Sequence, residues 1–172
     1  MDRKLSDPLR LIISAVALLA AATILLTLLW FRGVFLPDWI EWNRECVKTI
    51  PEDLKDKLSA DWLLQDALSF DIDGDGKEDR VLLVWKRGSY GERRPTWVRR
   101  DEIGFSQHIF IYSERKDGWY PIWMSSGLDF EVASFSIGDH ILGTERKSLE
   151  LKAPNGETSL WGWLEWGLER VG

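Results

Sequence analysis

The sequence contains few cysteines and none of the motifs that mark the common enzyme classes. Its 172 residues include a single cysteine, Cys46, so no internal disulfide can form. It contains no G-x-S-x-G, P-loop or H-E-x-x-H motif, and its two histidines, His108 and His140, stand 32 positions apart. These absences exclude a disulfide-stapled scaffold and leave no recognisable catalytic constellation, so we expect a non-enzymatic protein.

A basic excess is also missing. The chain carries 22 Lys and Arg against 28 Asp and Glu. The first 32 residues hold four basic and two acidic side chains, which leaves 18 and 26 in residues 33–172, a net charge of −8. Proteins that bind nucleic acid need a basic surface against the phosphates, so nucleic acid is excluded as an expected partner. Recurring apolar residues, including 11 Trp, predict a folded domain rather than disorder.

Charge is absent altogether from residues 11–31, which read LIISAVALLAAATILLTLLWF. As a helix this run spans roughly 31 Å, close to the thickness of the hydrocarbon core. A signal peptide has a shorter apolar core of about 7–15 residues, and a buried core helix is the third interpretation. Basic residues precede the run and acidic residues soon follow it, which predicts a cytoplasmic N-terminus and an outer C-terminal domain. The basic residues are Arg3, Lys4 and Arg10, and the acidic ones are Asp38 and Glu41.

The remaining chain predicts a mainly β protein. Residues 1–10 are a cytoplasmic tail, residues 11–31 a transmembrane helix and residues 32–60 a short helical neck. In the neck, Asp38 caps a first helix over 39–48 and Pro51 opens a second over 51–59. From Trp62 onward the apolar period is two, which predicts roughly seven antiparallel strands in residues 61–172. This length is too short for a complete propeller and allows a small sandwich or a blade-like meander.

In the first predicted strand, Trp62, Leu64, Leu68 and Phe70 share one face. The Asn155-Gly156 pair predicts a hairpin turn. Tryptophans on the strand-like runs are expected in the core, whereas Trp97 and Trp166 are the candidates for exposure. The other predicted strands are 81–85, 108–112, 119–124, 130–135, 141–142, 148–152 and one or two within 159–171.

One motif is informative about chemistry, the segment DIDGDGKED at residues 71–79. Carboxylates occupy positions one, three, five and nine, and Gly76 at position six permits a sharp turn. Ca²⁺ takes six to eight oxygen ligands, which a loop of this pattern supplies. Position twelve is Leu82, not the glutamate of an EF-hand, and the flanks read as strands. The expected ligands are the side chains of Asp71, Asp73, Asp75 and Asp79 and the backbone carbonyl of Lys77. An acidic turn without metal is the alternative interpretation.

The same segment resembles the calcium loops of FG-GAP or VCBS-type repeats, in which DxDGDGxxD joins two β-strands. The terminal run LWGWLEWGLERV is similar to the closing strand of such repeats, although the sequence holds one copy. The resemblance implies a stabilising Ca²⁺ site in an extracytoplasmic β domain, and it implies no particular partner.

Residues 86–100 are basic within an otherwise acidic domain, which indicates either a patch for an anionic polymer or lipid headgroups or a solvated loop. We therefore expect a single-pass protein of a bacterial cell envelope. Its outer Ca²⁺-binding domain acts as an interaction module for an envelope polymer, another membrane protein or a second copy. The alternative is an envelope polysaccharide hydrolase or a carbohydrate-binding protein, with carboxylates such as Asp129 and Glu131 beside Trp. The sequence leaves the oligomeric state open.

Overall fold

The computed structural model describes residues 7–90, 94–141 and 143–172. The chain divides into two compact units, Met1–Leu36 and Pro37–Gly172. In the first unit, α1 runs from Asp7 to Phe31, starting four residues before the predicted span. Pro8 suits the first turn, where its missing N–H is not needed. From Pro8 onward the helix is long and apolar enough to cross a bilayer, and none of its apolar window is buried in the structure.

Two threonines are the polar interruptions in the second half of α1. The Thr23 hydroxyl donates to the carbonyl of Leu19 at 2.9 Å, and the Thr27 hydroxyl donates to the carbonyl of Thr23 at 2.8 Å. Each hydroxyl is thus satisfied one turn back within the helix, without water. The second half of the helix is therefore compatible with an apolar surrounding.

The second unit contains two four-stranded antiparallel sheets, each with its strands in chain order. Eight strands lie in the described residues, where roughly seven were predicted, and the mainly β class is confirmed. The first sheet consists of β1 Leu63–Phe70, β2 Asp79–Arg87, β3 Phe105–Arg115 and β4 Gly118–Met124. The second consists of β5 Ser134–His140, β6 Lys147–Lys152, β7 Thr158–Leu164 and β8 Gly167–Arg170.

β2 and β3 form the centre of the first sheet, and both faces of these strands are buried. One face packs in a sheet-facing core that also contains side chains of the second sheet, among them Leu149 and Leu151. The other face packs in a neck-facing core that includes Ile50 and Leu54. Burial on both faces explains why the residues of β2 and β3 are apolar in an almost continuous run. The predicted neck is therefore mostly part of the β unit.

β1 contains a bulge at Gln65, where its register with β2 shifts. One extra residue reverses the faces of the residues on either side of it, since the side-chain period of a strand is two. Trp62 and Leu64 accordingly pack in the neck-facing core, whereas Leu68 and Phe70 pack in the sheet-facing core. The prediction that all four share one face was wrong for this reason.

The Gln65 side chain is fully buried, and it connects the first sheet to the segment that leads to the second. Its amide donates to the carbonyl of Ala133 at 2.5 Å, and its oxygen accepts from the Trp85 indole at 2.8 Å and from Gln107 at 2.9 Å. The Gln107 amide also donates to the carbonyl of Val132 at 2.6 Å. These buried polar groups all find partners, so the network positions residues 132–133 without an unsatisfied amide.

The neck is less helical than predicted. The Glu41 N–H donates to the Ala133 carbonyl at 3.4 Å and the Asn43 N–H to the Gln65 carbonyl at 3.0 Å. Residues 40–43 make these long-range bonds and are not helical, so the prediction of a helix from 39, with Asp38 as its cap, was wrong. The short helices are α2, Cys46–Thr49, and α3, Glu52–Lys55, which Pro51 precedes at the N-cap position.

The second sheet follows the prediction in its hairpins and departs from it in β5. The Asn155-Gly156 turn joins β6 to β7, with Gly156 at a φ of 87°. The predicted weak strand at 130–135 was wrong in position, because β5 occupies Ser134–His140 through its pairing with β6. Of the strand predicted at 141–142, Ile141 lies after the end of β5, and residue 142 lies outside the described residues.

The tryptophans divide as predicted between core and surface. Trp97 is 82% exposed and Trp166 is 74% exposed. The strand tryptophans are buried or packed against the sheet-facing core: Trp85, Trp119 and Trp163 are buried, and Trp123 and Trp161 are partly buried.

Candidate metal site between the first two strands

The acidic loop, residues 71–79, turns the chain from the end of β1 into the start of β2. Gly74 has a φ of 81° and Gly76 a φ of 85°, in the left-handed region that glycine adopts at little cost. Gly76, at position six of the motif, therefore permits the sharp turn that the sequence predicted. The loop joins two strands, as predicted, and no helix flanks it.

The loop folds around the carboxylate of Asp71. Its Oδ1 accepts the N–H of Gly74 at 2.7 Å and that of Asp75 at 3.1 Å, and its Oδ2 accepts the N–H of Gly76 at 2.9 Å. Three backbone donors on one carboxylate hold it in one orientation. Asp71 is therefore a preorganised oxygen donor at the first position of the motif.

Asp79 is the first residue of β2 and is 0% exposed. Its Oδ2 accepts the N–H of Ile72 at 3.2 Å, whereas its Oδ1 is buried and has no hydrogen-bond partner among the described residues. Burial raises the pKa of Asp79 to about 6, opposed by Ser113, which stands opposite it on β3, and by the Ile72 N–H. The negative charges of Asp73 and Asp75 raise it further. A buried, half-satisfied carboxylate is costly unless something positive compensates it.

Asp71, Asp73 and Asp79 each offer a carboxylate oxygen, and these three oxygens lie within 4.8 Å of one another. Two ligands of Ca²⁺, each about 2.3–2.6 Å from the ion, lie at most about 5 Å apart, so the spacing fits a common cation. This is the one group of three metal-ligating side chains found in the part of the chain that the structure describes. Three of the four predicted carboxylate ligands are thus brought together.

Asp75 is placed differently. Its side chain is exposed and its Oδ1 accepts the N–H of Lys77 at 2.9 Å, while its Oδ2 lies 3.7 Å from the Lys77 ammonium. It does not belong to the group of converging oxygens. Its role as a direct ligand, and that of the Lys77 carbonyl, stay predictions.

Arg146 lies in the connection between β5 and β6 of the second sheet, and its side chain lies against the acidic loop. A Cβ built on Gly74 would stand 2.7 Å from its Nε, and its guanidinium donates to the Trp163 carbonyl at 3.2 Å. It also lines an open cleft together with Asp71 and Glu78. Sequence reasoning missed this residue, because nothing within the motif indicates which distant segment packs on it.

His108 and Cys46 both lie in the interior of the β unit. His108 is buried, with Nδ1 3.1 Å from the Ser125 carbonyl and Nε2 3.1 Å from the Gly88 carbonyl, and burial lowers its pKa. The Cys46 thiol is buried, and this burial, with the nearby charge of Asp66, raises its pKa to about 11. A thiol held protonated at neutral pH is a poor nucleophile.

An open cleft on the second sheet bears on the alternative of a carbohydrate-binding or hydrolytic role. Its lining includes the carboxylates of Asp129 and Glu157. Beside them, the rings of Phe130 and Trp161 stack with centroids 5.7 Å apart and an interplanar angle of 21°. Glu131, the predicted companion of Asp129, is exposed and does not line this cleft.

No family model matches the chain, and no curated protein or solved structure matches it either. The resemblance of residues 71–79 to FG-GAP or VCBS-type calcium loops therefore stays a prediction that rests on those residues.

Proposed function

We propose that this chain is a membrane-anchored interaction module whose β unit is stabilised by a Ca²⁺ ion in the acidic loop. The observation that carries the proposal is the buried carboxylate of Asp79. Its Oδ1 has no hydrogen-bond partner among the described residues, and one of its oxygens lies within 4.8 Å of oxygens of Asp71 and Asp73. A divalent cation there would compensate the buried charge and relieve the repulsion between the carboxylates.

The site fits a structural role better than a sensing role. Its best-buried ligand starts a central strand of the sheet, and another lies in a loop held by backbone hydrogen bonds. Both are positioned by the fold itself, so ion binding adds stability without requiring a large rearrangement. Extracellular calcium modules bind at about 10⁻⁴–10⁻³ M, which matches a site with three convergent carboxylates and solvent access.

The proposed location follows from α1 and the charges around it. The helix is long enough to span a bilayer, and the basic residues before it favour an N-terminus on the cytoplasmic side. The β unit then stands outside the cytoplasm, where millimolar Ca²⁺ fills a weak site. The lack of a catalytic motif favours binding over catalysis, with an envelope polymer, a membrane protein or a second copy as the partner class.

Thermal unfolding of the full chain in detergent tests the metal site. We expect Ca²⁺ at about ten to a hundred times the dissociation constant to raise the midpoint by roughly 5–10 °C over the value in chelator. The Asp73→Ala variant should lose this rise, because one of three convergent ligands is missing. Metal analysis after equilibrium dialysis against millimolar Ca²⁺ should find one Ca²⁺ per chain above the concentration in the buffer.

The Asp56→Ala variant is the matched control, since Asp56 is an exposed aspartate at the end of α3, in the neck. It should keep the full Ca²⁺-dependent rise. Equal midpoints in Ca²⁺ and chelator for the unmodified chain, with no bound metal, would reduce the loop to an acidic turn.

Carbohydrate binding is a second candidate, favoured by the stacked Phe130 and Trp161 beside two carboxylates. Aromatic faces and acidic groups are the usual parts of a sugar subsite. This candidate is tested by titrating soluble envelope glycans into the full chain and measuring the change in tryptophan fluorescence. A response that the Trp161→Phe variant retains unchanged would place the sugar elsewhere.

A further inference from the structure

The loop between β2 and β3 is held firmly at its base. The Lys86 side chain is buried, and its ammonium donates to the carbonyls of Arg87 at 2.9 Å and Tyr90 at 2.5 Å. Asp101, on the returning arm, accepts the N–H groups of Ser89 and Glu102, both at 2.8 Å. An isolated buried ammonium is expensive, so these bonds commit the fold to one path for the chain at this point.

Beyond this base, residues 94–103 form an exposed arginine–tryptophan segment. Trp97 is 82% exposed and Ile103 is 77% exposed, among the most exposed large apolar side chains of the β unit. The Val98 N–H donates to the Pro95 carbonyl at 3.0 Å, which makes a turn around Trp97. The exposed basic side chains of the segment are Arg94, Arg99 and Arg100.

Trp166 provides a comparison within the same unit. It is 74% exposed, in the turn between β7 and β8, and Glu165 and Glu169 are its charged neighbours in sequence. The two most exposed tryptophans of the chain therefore stand in opposite charge surroundings. Only Trp97 combines an amphipathic ring with several cations, which is the composition that binds an anionic membrane surface.

We propose that the arginine–tryptophan segment docks on the surface of an anionic lipid bilayer, with Trp97 in the interface and the three arginines on lipid phosphates. This inference rests on the proposed membrane anchor. Residues 32–36 alone separate α1 from the β unit in sequence, so a bilayer that holds the helix keeps the β unit tethered to that bilayer. An anionic polymer would satisfy the arginines, whereas a bilayer also takes up the apolar rings and chains of Trp97 and Ile103.

The test measures quenching of Trp97 by brominated lipid in nanodiscs that contain the full chain. The signal of Trp97 is the difference between the unmodified chain and the Trp97→Phe variant, which removes the contribution of the ten other tryptophans. We expect this signal to be quenched in discs of phosphatidylcholine with phosphatidylglycerol and not in discs of phosphatidylcholine alone. High salt should reduce the quenching, because it screens the arginines.

The triple variant Arg94→Gln, Arg99→Gln, Arg100→Gln should lower the docked-to-undocked ratio about a hundredfold, at about fivefold for each arginine. These side chains are exposed, so the variant keeps its midpoint of unfolding. The matched control is Trp166→Phe, whose difference signal should show no quenching in either lipid.

Equal quenching of Trp97 in both lipid compositions, or none in either, would overturn the proposal. A response of Trp97 to soluble dextran sulfate without quenching by lipid would identify an anionic polymer as the partner and also overturn it. Failure of the proposed anchor is a separate result, since the chain would then not float with vesicles of phosphatidylcholine alone, on which the segment does not dock.

Discussion

Two loops flank β2, and they use charge in opposite ways. The acidic loop before β2 turns its carboxylates inward, where Asp71 collects three backbone N–H groups and Asp79 is fully buried. The segment after β2 buries one lysine at its base and leaves its arginines and Trp97 exposed. A buried charge is costly without a compensating positive charge, whereas an exposed charge is solvated by water and accessible to a partner. The proposed functions of the two loops, metal binding and membrane docking, rest on this difference.

We expect the largest effect from Asp79→Asn, which should raise the unfolding free energy in chelator but not in Ca²⁺. In chelator at pH 7 the variant should be more stable than the unmodified chain by about 2 kcal/mol, because a carboxylate with a pKa raised from 3.8 to about 6 is destabilising when ionised. Adding Ca²⁺ should not raise the unfolding free energy of the variant, because one of the three convergent carboxylates is missing. Urea unfolding in both conditions measures this. A variant less stable in chelator would show that the buried charge is already compensated without metal.

The same residue predicts a pH dependence in chelator. The folded pKa of Asp79 lies above its value in the unfolded chain, so the protonated side chain favours folding. This stabilisation is fully present below about pH 4 and is lost as the pH rises through about 6. The difference in unfolding free energy between the unmodified chain and Asp79→Asn should follow that curve. A difference independent of pH between 4 and 7 would contradict it.

Lys86→Met should affect the second loop alone. The substitution leaves the carbonyls of Arg87 and Tyr90 without their buried donor and should cost about 1–2 kcal/mol of unfolding free energy. The rise in midpoint with Ca²⁺ should stay unchanged, which separates the two loops. Lys116→Met, in the exposed turn between β3 and β4, is the control and should be neutral. A reduced Ca²⁺ response in Lys86→Met would show that the loops are coupled.

Gly74 and Gly76 of the acidic loop should differ in how much an added methyl group destabilises the fold. Both have positive φ, but a Cβ on Gly74 meets Arg146, whereas a Cβ on Gly76 meets open space. Gly76→Ala should cost about 1 kcal/mol for the backbone conformation, and Gly74→Ala about 2 kcal/mol because Arg146 must also move. Chemical denaturation of both variants ranks them. Equal losses of unfolding free energy would mean that the Arg146 side chain moves away from residue 74 at no cost.

The smallest effect on stability is expected at Trp97. Because its side chain is 82% exposed, Trp97→Ser should change the unfolding free energy by less than about 0.5 kcal/mol in detergent. The docking of the segment on anionic lipid should nevertheless be lost. A loss of stability well above that limit would place Trp97 in a packing role within the β unit.

The parts of the fold that follow from neighbours in sequence were predictable. The period of two predicted most strands and Asn155-Gly156 predicted a hairpin. Trp97 and Trp166 were predicted to be exposed because they are harder to place on strand-like runs than the other tryptophans. The predictions failed where a distant partner decides the conformation. The bulge at Gln65 and the non-helical residues 40–43 both involve hydrogen bonds to residues far along the chain.

Local patterns of charge and hydropathy were enough to predict the apolar N-terminal helix, the spacing of carboxylates in residues 71–79 and the basic composition after β2. Three features of the site depend on packing instead: Asp79 is buried with an unpartnered oxygen, Asp75 lies outside the cluster, and Arg146 lies against Gly74. Burial depends on which strands and loops pack around a residue. A spacing of acids can propose a metal site, but the need for a counter-charge arises from that packing.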